Sequence, residues 1–126
     1  MILHLTPFKL IHEVQEEFNT IFPFLRLDFY RMQENEARVP VKKLLGKTVS
    51  LRTAGLEKEG ILHVHEGMTV AELETAFRKK FQLLLQVSRQ SGNVWLETTM
   101  TDDWSLQQQN EHGAEITIGT GNRNNK

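Results

Sequence analysis

The sequence predicts an α+β domain, because segments that alternate like strands surround one strongly patterned helix. Residues 24–31 and 61–65 alternate apolar and polar side chains, as strands with one buried face do. Residues 69–81 instead repeat their apolar side chains at helical spacing. The length of 126 residues suffices for one domain with a single core, and we expect residues 1–118 to form that domain.

The first 23 residues predict a short strand and a helix added to the rest of the domain. We expect a strand from Ile2 to Leu5. Thr6 followed by Pro7 is typical of an N-cap and a first helical position, which predicts a helix starting at Pro7. Proline at position 23 disfavours helical geometry at the residue before it, so this helix should end near Ile21.

The segment from Phe24 to Arg31 is the clearest strand of the sequence. Its alternation predicts a sheet with one face on the core and the other face in water, and Tyr30 falls on the wet face. Residues 48–52 also alternate. We therefore predict a second strand there, forming a hairpin with the strand at 61–65.

The helix from residue 69 carries the strongest local signal. Thr69 and Glu72 fit a capping box, in which each side chain bonds the backbone N–H of the other residue. The following apolar positions share one helical face: Val70, Leu73, Phe77 and Phe81. This helix is therefore expected to pack on a sheet.

The last third predicts a hairpin, a helical turn and a final strand. Residues 83–89 and 94–98 flank the turn signal at 90–93, and Trp95 lies in the second strand. Residues 101–103 are expected to cap a short helix that ends at Gly113. The remaining predicted segments are a strand from Glu115 to Ile118 and a disordered tail at 119–126.

From residue 48 onward, the predicted order is strand, strand, capped helix, strand, strand, helical turn, strand. This order resembles the ubiquitin-like β-grasp fold, in which a mixed sheet wraps one helix. The resemblance rests on Thr69–Leu73 opening the helix, on Trp104–Leu106 with Asn110 as the short turn, and on Glu115–Ile118 as the last strand. It implies a β-grasp-like core at 24–118, to which residues 1–23 are an addition.

A second topology fits the same segments. The strands at 2–5, 24–31, 61–65 and 83–89, taken with the two longer helices, give the βαββαβ order of a ferredoxin-like sandwich. Both folds host many unrelated activities, so neither predicts a function by itself.

Composition narrows the classes of function. With 15 basic and 16 acidic residues, the charge does not favour nucleic acid as a partner, although Lys42, Lys43, Lys47 and Arg52 form a local basic cluster. No segment approaches the roughly 18 apolar residues of a membrane span, and no signal-peptide pattern is present, so we expect no membrane partner and a cytoplasmic location. The chain has no cysteine, which excludes disulfides, thiolate metal sites and a cysteine nucleophile.

Two sites emerge as hypotheses. Tyr30, Ile61 and Trp95 are expected to form an apolar patch on the outer face of the sheet, and such patches bind a protein partner or a second copy of the chain. The alternative is a metal-dependent enzyme or metal sensor. It would use His63 and His65, whose imidazoles share one strand face, to hold zinc or iron with a third ligand from elsewhere. No catalytic arrangement stands out, so the sequence favours a non-enzymatic interaction module without a cofactor.

Overall fold

A computed structural model describes residues 1–119 and confirms the α+β class. Its strands are β1 (Ile2–Leu5), β2 (Leu25–Glu34), β3 (Pro40–Leu44), β4 (Gly60–His63), β5 (Leu84–Ser91) and β6 (Val94–Glu97). Its α-helices are α1 (Ile11–Ile21), α2 (Leu51–Ala54), α3 (Val70–Phe81) and α4 (Leu106–Ala114). A 3-10 turn at Thr99–Thr101 precedes α4, and a π-helical segment at Glu115–Gly119 extends it. Nearly all of the predicted tail, residues 120–126, lies outside the described residues.

The strands form two antiparallel sheets. The larger sheet has the order β3-β2-β5-β6, and the smaller sheet pairs β1 with β4. All strand pairs within residues 1–119 are antiparallel, so the mixed sheet expected from the β-grasp resemblance is not observed there. The ferredoxin-like alternative needs its four strands in one sheet, whereas here β1 and β4 are separate from β2 and β5.

One core fills the space between both sheets and the apolar faces of α1 and α3. The predicted inner face of β2 is confirmed, because Leu25, Leu27 and Phe29 are buried. Phe77 of α3 meets Phe29 edge to face, with 6.0 Å between the ring centroids. Removing a buried ring of this kind costs about 3–5 kcal/mol, so this contact is a major term in the stability of the fold.

Helix α3 begins as the sequence predicts. The Thr69 hydroxyl accepts a bond from the Glu72 N–H at 3.0 Å, and the Thr69 N–H donates to the Glu72 carboxylate at 2.9 Å. These hydrogen bonds lower the pKa of Glu72. The next two N–H groups of the helix, at Val70 and Ala71, donate to carbonyls of the segment after β6. The N-terminus of α3 is therefore satisfied both locally and by a distant part of the chain.

The predicted start of α1 and the predicted strand at 48–52 are both wrong, because residues 47–52 bond to the segment at residues 7–12. Helix α1 starts at Ile11, because the N–H groups of Ile11 and His12 donate to the carbonyls of Val49 and Lys47. Ser50 then caps the short helix α2 by accepting the Thr53 N–H at 3.2 Å. The hairpin expected with residues 61–65 is absent, since β4 pairs with β1 instead.

Three further differences between the predicted and the observed elements concern segments without a strong local sequence pattern. Strand β3 was not predicted, because its residues are exposed and include a proline and two lysines. The predicted strand at Glu115–Ile118 is wrong, because α4 continues as the π-helical segment. The helix α4 is capped by Ser105 rather than by residues 101–103, and Gly113 lies inside it rather than ending it.

No helix within residues 1–119 combines the length and the apolar character needed to cross a bilayer.

Gly113 is required by close packing, which gives a test of the α4 contact. A Cβ at this position would lie 2.9 Å from the Cβ of Phe24 and 3.0 Å from the Cγ of Arg89. We expect Gly113→Ala to lower the free energy of unfolding, because overpacking costs about 1–3 kcal/mol and alanine regains only about 1 kcal/mol of helix propensity.

Gly46→Ala is the matched control, because no atom lies within 4 Å of its added Cβ and its φ is not positive. Urea denaturation of both variants should show a net loss of up to about 2 kcal/mol for Gly113→Ala, centred on about 1 kcal/mol, and a change within about 0.5 kcal/mol for Gly46→Ala. Equal stability of the two variants would contradict the packing argument.

Candidate functional site

The face of the larger sheet opposite the core carries a groove of about 270 Å³, which we call the outer groove. All four strands contribute to it, because alternate residues of a strand point to the same side. The pairing places Arg26 opposite Ser88 and Ser88 opposite Glu97 across three neighbouring strands. The side chains that matter below are Arg26, Asp28, Tyr30, Lys42, Ser88, Trp95 and Glu97.

Asp28 lies at the floor of the outer groove and accepts hydrogen bonds from two side chains. The guanidinium of Arg26 donates two of these bonds, from Nε to Oδ1 at 2.7 Å and from Nη2 to Oδ2 at 3.1 Å. The hydroxyl of Ser88, only 3% exposed, donates to Oδ2 at 2.8 Å. Bidentate, charge-assisted bonds of this kind hold side chains in a fixed geometry. The floor is therefore a satisfied polar network.

Both aromatic side chains of the outer groove are held by a cation. The Arg26 Cζ lies 4.7 Å from the centre of the Trp95 ring, and the Lys42 Nζ lies 4.8 Å from the centre of the Tyr30 ring. Lys42 also bonds Glu97 at 3.3 Å, which links the two edge strands of the sheet across the groove. Each cation–π contact is worth about 0.5–1 kcal/mol at an exposed site. These two contacts restrict the orientation of both rings.

A second groove of about 460 Å³ adjoins the first and is called the α1 groove. It lies between Trp95 and the polar side of α1, and Arg26 and Trp95 line both grooves. Its α1 wall is fixed to the sheet, because the Gln15 amide donates to the Leu27 carbonyl at 2.7 Å. The two adjacent grooves are together called the recess.

The structure brings two of the three predicted patch residues together. Tyr30 and Trp95 both line the outer groove. Ile61 is exposed but lies on β4 in the smaller sheet, so it does not share their face and the single three-residue patch is not formed. The sequence interpretation missed Ser88, whose role depends on the register of β2 with β5. Arg26 and Asp28 alternate with the buried residues of β2 and so share the wet face with Tyr30, but the sequence interpretation assigned them no role.

The two histidines of the metal hypothesis lie apart from both grooves. His63 ends β4, His65 follows in the turn before α3, and both are exposed. Within residues 1–119, no three side chains of the histidine, cysteine, aspartate or glutamate type are grouped so that they could hold a metal ion. The third ligand that the hypothesis needs was therefore not found in this part of the chain.

Glu74 of α3 has the other shifted pKa. Burial raises the pKa of Glu74, and the nearby carboxylate of Asp102 adds to this, while the hydrogen bond from Val87 opposes it. Raised carboxyl pKa values often mark functional sites. Here a structural role accounts for the position, because the Val87 N–H donates to the Glu74 carboxylate at 3.0 Å. Glu74 thereby satisfies a backbone donor on β5, one residue beyond the point where the β6 pairing ends.

We compared the chain with models of protein families, with curated proteins and with solved structures, and none of these comparisons found a match.

Glu74 should make stability depend on pH. The unfolded chain releases this proton near the ordinary carboxyl pKa of about 4.3, whereas the folded chain releases it at higher pH. Stability contributed by this group is therefore present below about pH 4.3 and is lost as the pH rises through the folded pKa. We expect Glu74→Gln to remove this loss while keeping an acceptor for the Val87 N–H.

Glu74→Ala is the contrasting variant, because it leaves the buried Val87 N–H without its partner, at a cost of about 1–3 kcal/mol. Urea denaturation between pH 4 and pH 8 should show the alanine variant less stable than the glutamine variant throughout. A glutamine variant with the same pH dependence as the wild type would contradict the assignment.

Proposed function

We propose that the chain is a non-enzymatic protein-interaction module that binds an extended segment of a partner protein along the outer groove. The observation that carries the proposal is the pair of aromatic rings, Tyr30 and Trp95, held by cations over a polar floor. Tryptophan, tyrosine and arginine are the residues that contribute most energy at protein interfaces. All three types meet in this groove.

The balance of charge supports a polypeptide as the ligand. The outer groove holds two cations and two acids, and they are already paired as Arg26 with Asp28 and Lys42 with Glu97. A nucleic acid or another polyanion would require an excess of positive charge. A polypeptide backbone instead presents donors and acceptors in equal number, which matches a groove that also contains the amide side chain of Gln86.

The shape of the recess supports an extended ligand. The outer groove and the α1 groove share Arg26 and Trp95, so their volumes of about 270 Å³ and about 460 Å³ lie side by side at these residues. A ligand that contacts both Trp95 and Tyr30 has to extend along the outer groove. An extended segment could place one apolar side chain against Trp95 and continue towards Tyr30.

The orientation of the rings before binding lowers the cost of association. Immobilising a flexible side chain at an interface costs about 0.5–1.5 kcal/mol. Trp95 and Tyr30 avoid part of this cost, because Arg26 and Lys42 already restrict them. The network below them, from Arg26 through Asp28 to Ser88, keeps the restricting cation in place.

A peptide selection tests the proposal. A phage-displayed library of unstructured peptides is selected on the immobilised wild-type chain, and the enriched peptides are then measured by fluorescence anisotropy. We expect Tyr30→Ala and Trp95→Ala each to weaken binding by about 10-fold or more, because both rings provide central contact area.

Ile61→Ala is the matched control, since Ile61 is an exposed apolar residue of the other sheet. It should leave the affinity unchanged. The proposal fails if no peptide is enriched, or if the Tyr30 and Trp95 variants, shown by circular dichroism to be folded, bind as tightly as the control.

A further inference from the structure

Most of the edge backbone of the larger sheet is protected against pairing with another chain. Edge strands present unpaired N–H and C=O groups, and natural proteins block them with proline, lysine or a covering element. Strand β3 carries Pro40, Lys42 and Lys43. The part of β2 that β3 does not reach is covered by α1, whose Gln15 and Asn19 amides donate to carbonyls of that edge.

Strand β6 has an open edge with unpaired backbone groups. The Gln90 N–H donates to the Phe24 carbonyl at 2.9 Å, so the backbone of Gln90 faces away from β6. Trp95 lies opposite Gln90, and Glu97 lies opposite Ser88, which has the same orientation as Gln90. The N–H and C=O groups of Trp95 and Glu97 therefore point out of the sheet, and within residues 1–119 nothing bonds them.

The side chains of β6 do not block this edge. The strand contains neither lysine nor proline, and its one charged side chain, Glu97, is bonded to Lys42 across the outer groove. Its two other residues, Val94 and Leu96, are apolar and are 55% and 44% exposed. An edge that combines free donors, free acceptors and exposed apolar side chains favours the addition of another strand.

We propose that β6 pairs antiparallel with β6 of a second copy of the chain, with Leu96 at the two-fold axis. In this register, Trp95 of each copy exchanges both backbone bonds with Glu97 of the other copy. The four outward donors and acceptors of each edge are then satisfied. Leu96 faces Leu96 of the second copy in a non-hydrogen-bonded pair, where Cα atoms are about 4.5 Å apart.

The side chains favour this register over its neighbours. Centring the pair on Glu97 would place two carboxylates directly opposite each other, and like charges in that position are destabilising. Centring it on Trp95 would place Glu97 opposite Asn93 of the second copy, which belongs to the turn before β6 and not to the strand. The outward backbone groups of Glu97 would then have no strand partner. Centring it on Leu96 puts Glu97 beside Trp95 of the second copy, and Arg26 lies over that ring, so opposite charges approach. The edge is therefore complementary to itself in this register, which favours a second copy as the occupant.

A single cysteine tests both the pairing and its register, because the chain contains none. At the axis, Leu96→Cys places two thiols on Cα atoms about 4.5 Å apart, within the range of a disulfide. Val94→Cys is the matched control on the same strand. Its two copies would be four residues apart along the paired strands, about 14 Å, which is too far for a disulfide.

Mild oxidation of the folded chain should therefore cross-link Leu96→Cys rapidly to a dimer and leave Val94→Cys monomeric on a non-reducing gel. Val41→Cys, on the protected β3 edge, should also remain monomeric. Failure of Leu96→Cys to cross-link, or equal cross-linking of all three variants, would overturn the proposal.

Analytical ultracentrifugation supplies a second, independent measurement. The wild-type chain should sediment as a monomer–dimer equilibrium. Leu96→Lys should weaken dimerisation by about 10-fold or more, because it sets two cations opposite each other, whereas Val41→Lys should not. A wild-type chain that is monomeric at every concentration, or a dimer that Leu96→Lys leaves intact, would overturn the pairing.

The dimer is independent of the partner-binding proposal, and the variants separate the two. Leu96→Lys should weaken the dimer by about 10-fold or more but still bind peptides selected on the wild type, because the side chain of residue 96 does not line the outer groove. Tyr30→Ala should lose the peptides but keep the dimer. Each proposal can therefore fail without the other.

Discussion

The pairing of β2 with β5 is the constraint on which both faces of the larger sheet depend. On the core side it sets Leu27 opposite Val87, and both are buried. On the other side it sets Arg26 opposite Ser88, which brings the hydroxyl within 2.8 Å of Asp28. A slip of one residue would turn the apolar side chains of β2 towards water. The hydrophobic core therefore fixes the register, and the register builds the polar floor of the outer groove.

Some backbone groups that the sheet leaves unpaired are satisfied by helices. Gln15 of α1 bonds a carbonyl on the edge of β2, and Glu74 of α3 accepts the Val87 N–H on β5. Glu74 keeps this bond although burial disfavours its charge, because an orphaned backbone donor would cost about 1–3 kcal/mol. The outward backbone groups of Trp95 and Glu97 have no such partner within residues 1–119, which is why we assign them to the proposed pairing with a second copy.

Sequence reasoning succeeded where the deciding interactions are local. The capping box at Thr69 and the alternation of β2 act within a few residues, so α3 and the faces of β2 were predictable. The segment at Thr48–Arg52 was not, because its N–H and C=O groups pair with residues 7–11, far away in the chain. For the site, alternation placed Tyr30 on the wet face, but it could not show that Ile61 belongs to another sheet. Sheet membership is set by long-range pairing, which no local pattern reports.

Trp95 contributes to both proposed binding surfaces, the outer groove and the edge of β6. Its side chain lies in the outer groove under Arg26, whereas its N–H and C=O point out of the sheet at the edge of β6. A ligand in the groove and a strand on the edge therefore use different atoms of the same residue. Filling the groove leaves the outward N–H and C=O of Trp95 free for pairing, and pairing at the edge leaves its ring free in the groove. Neither proposed contact therefore requires or blocks the other.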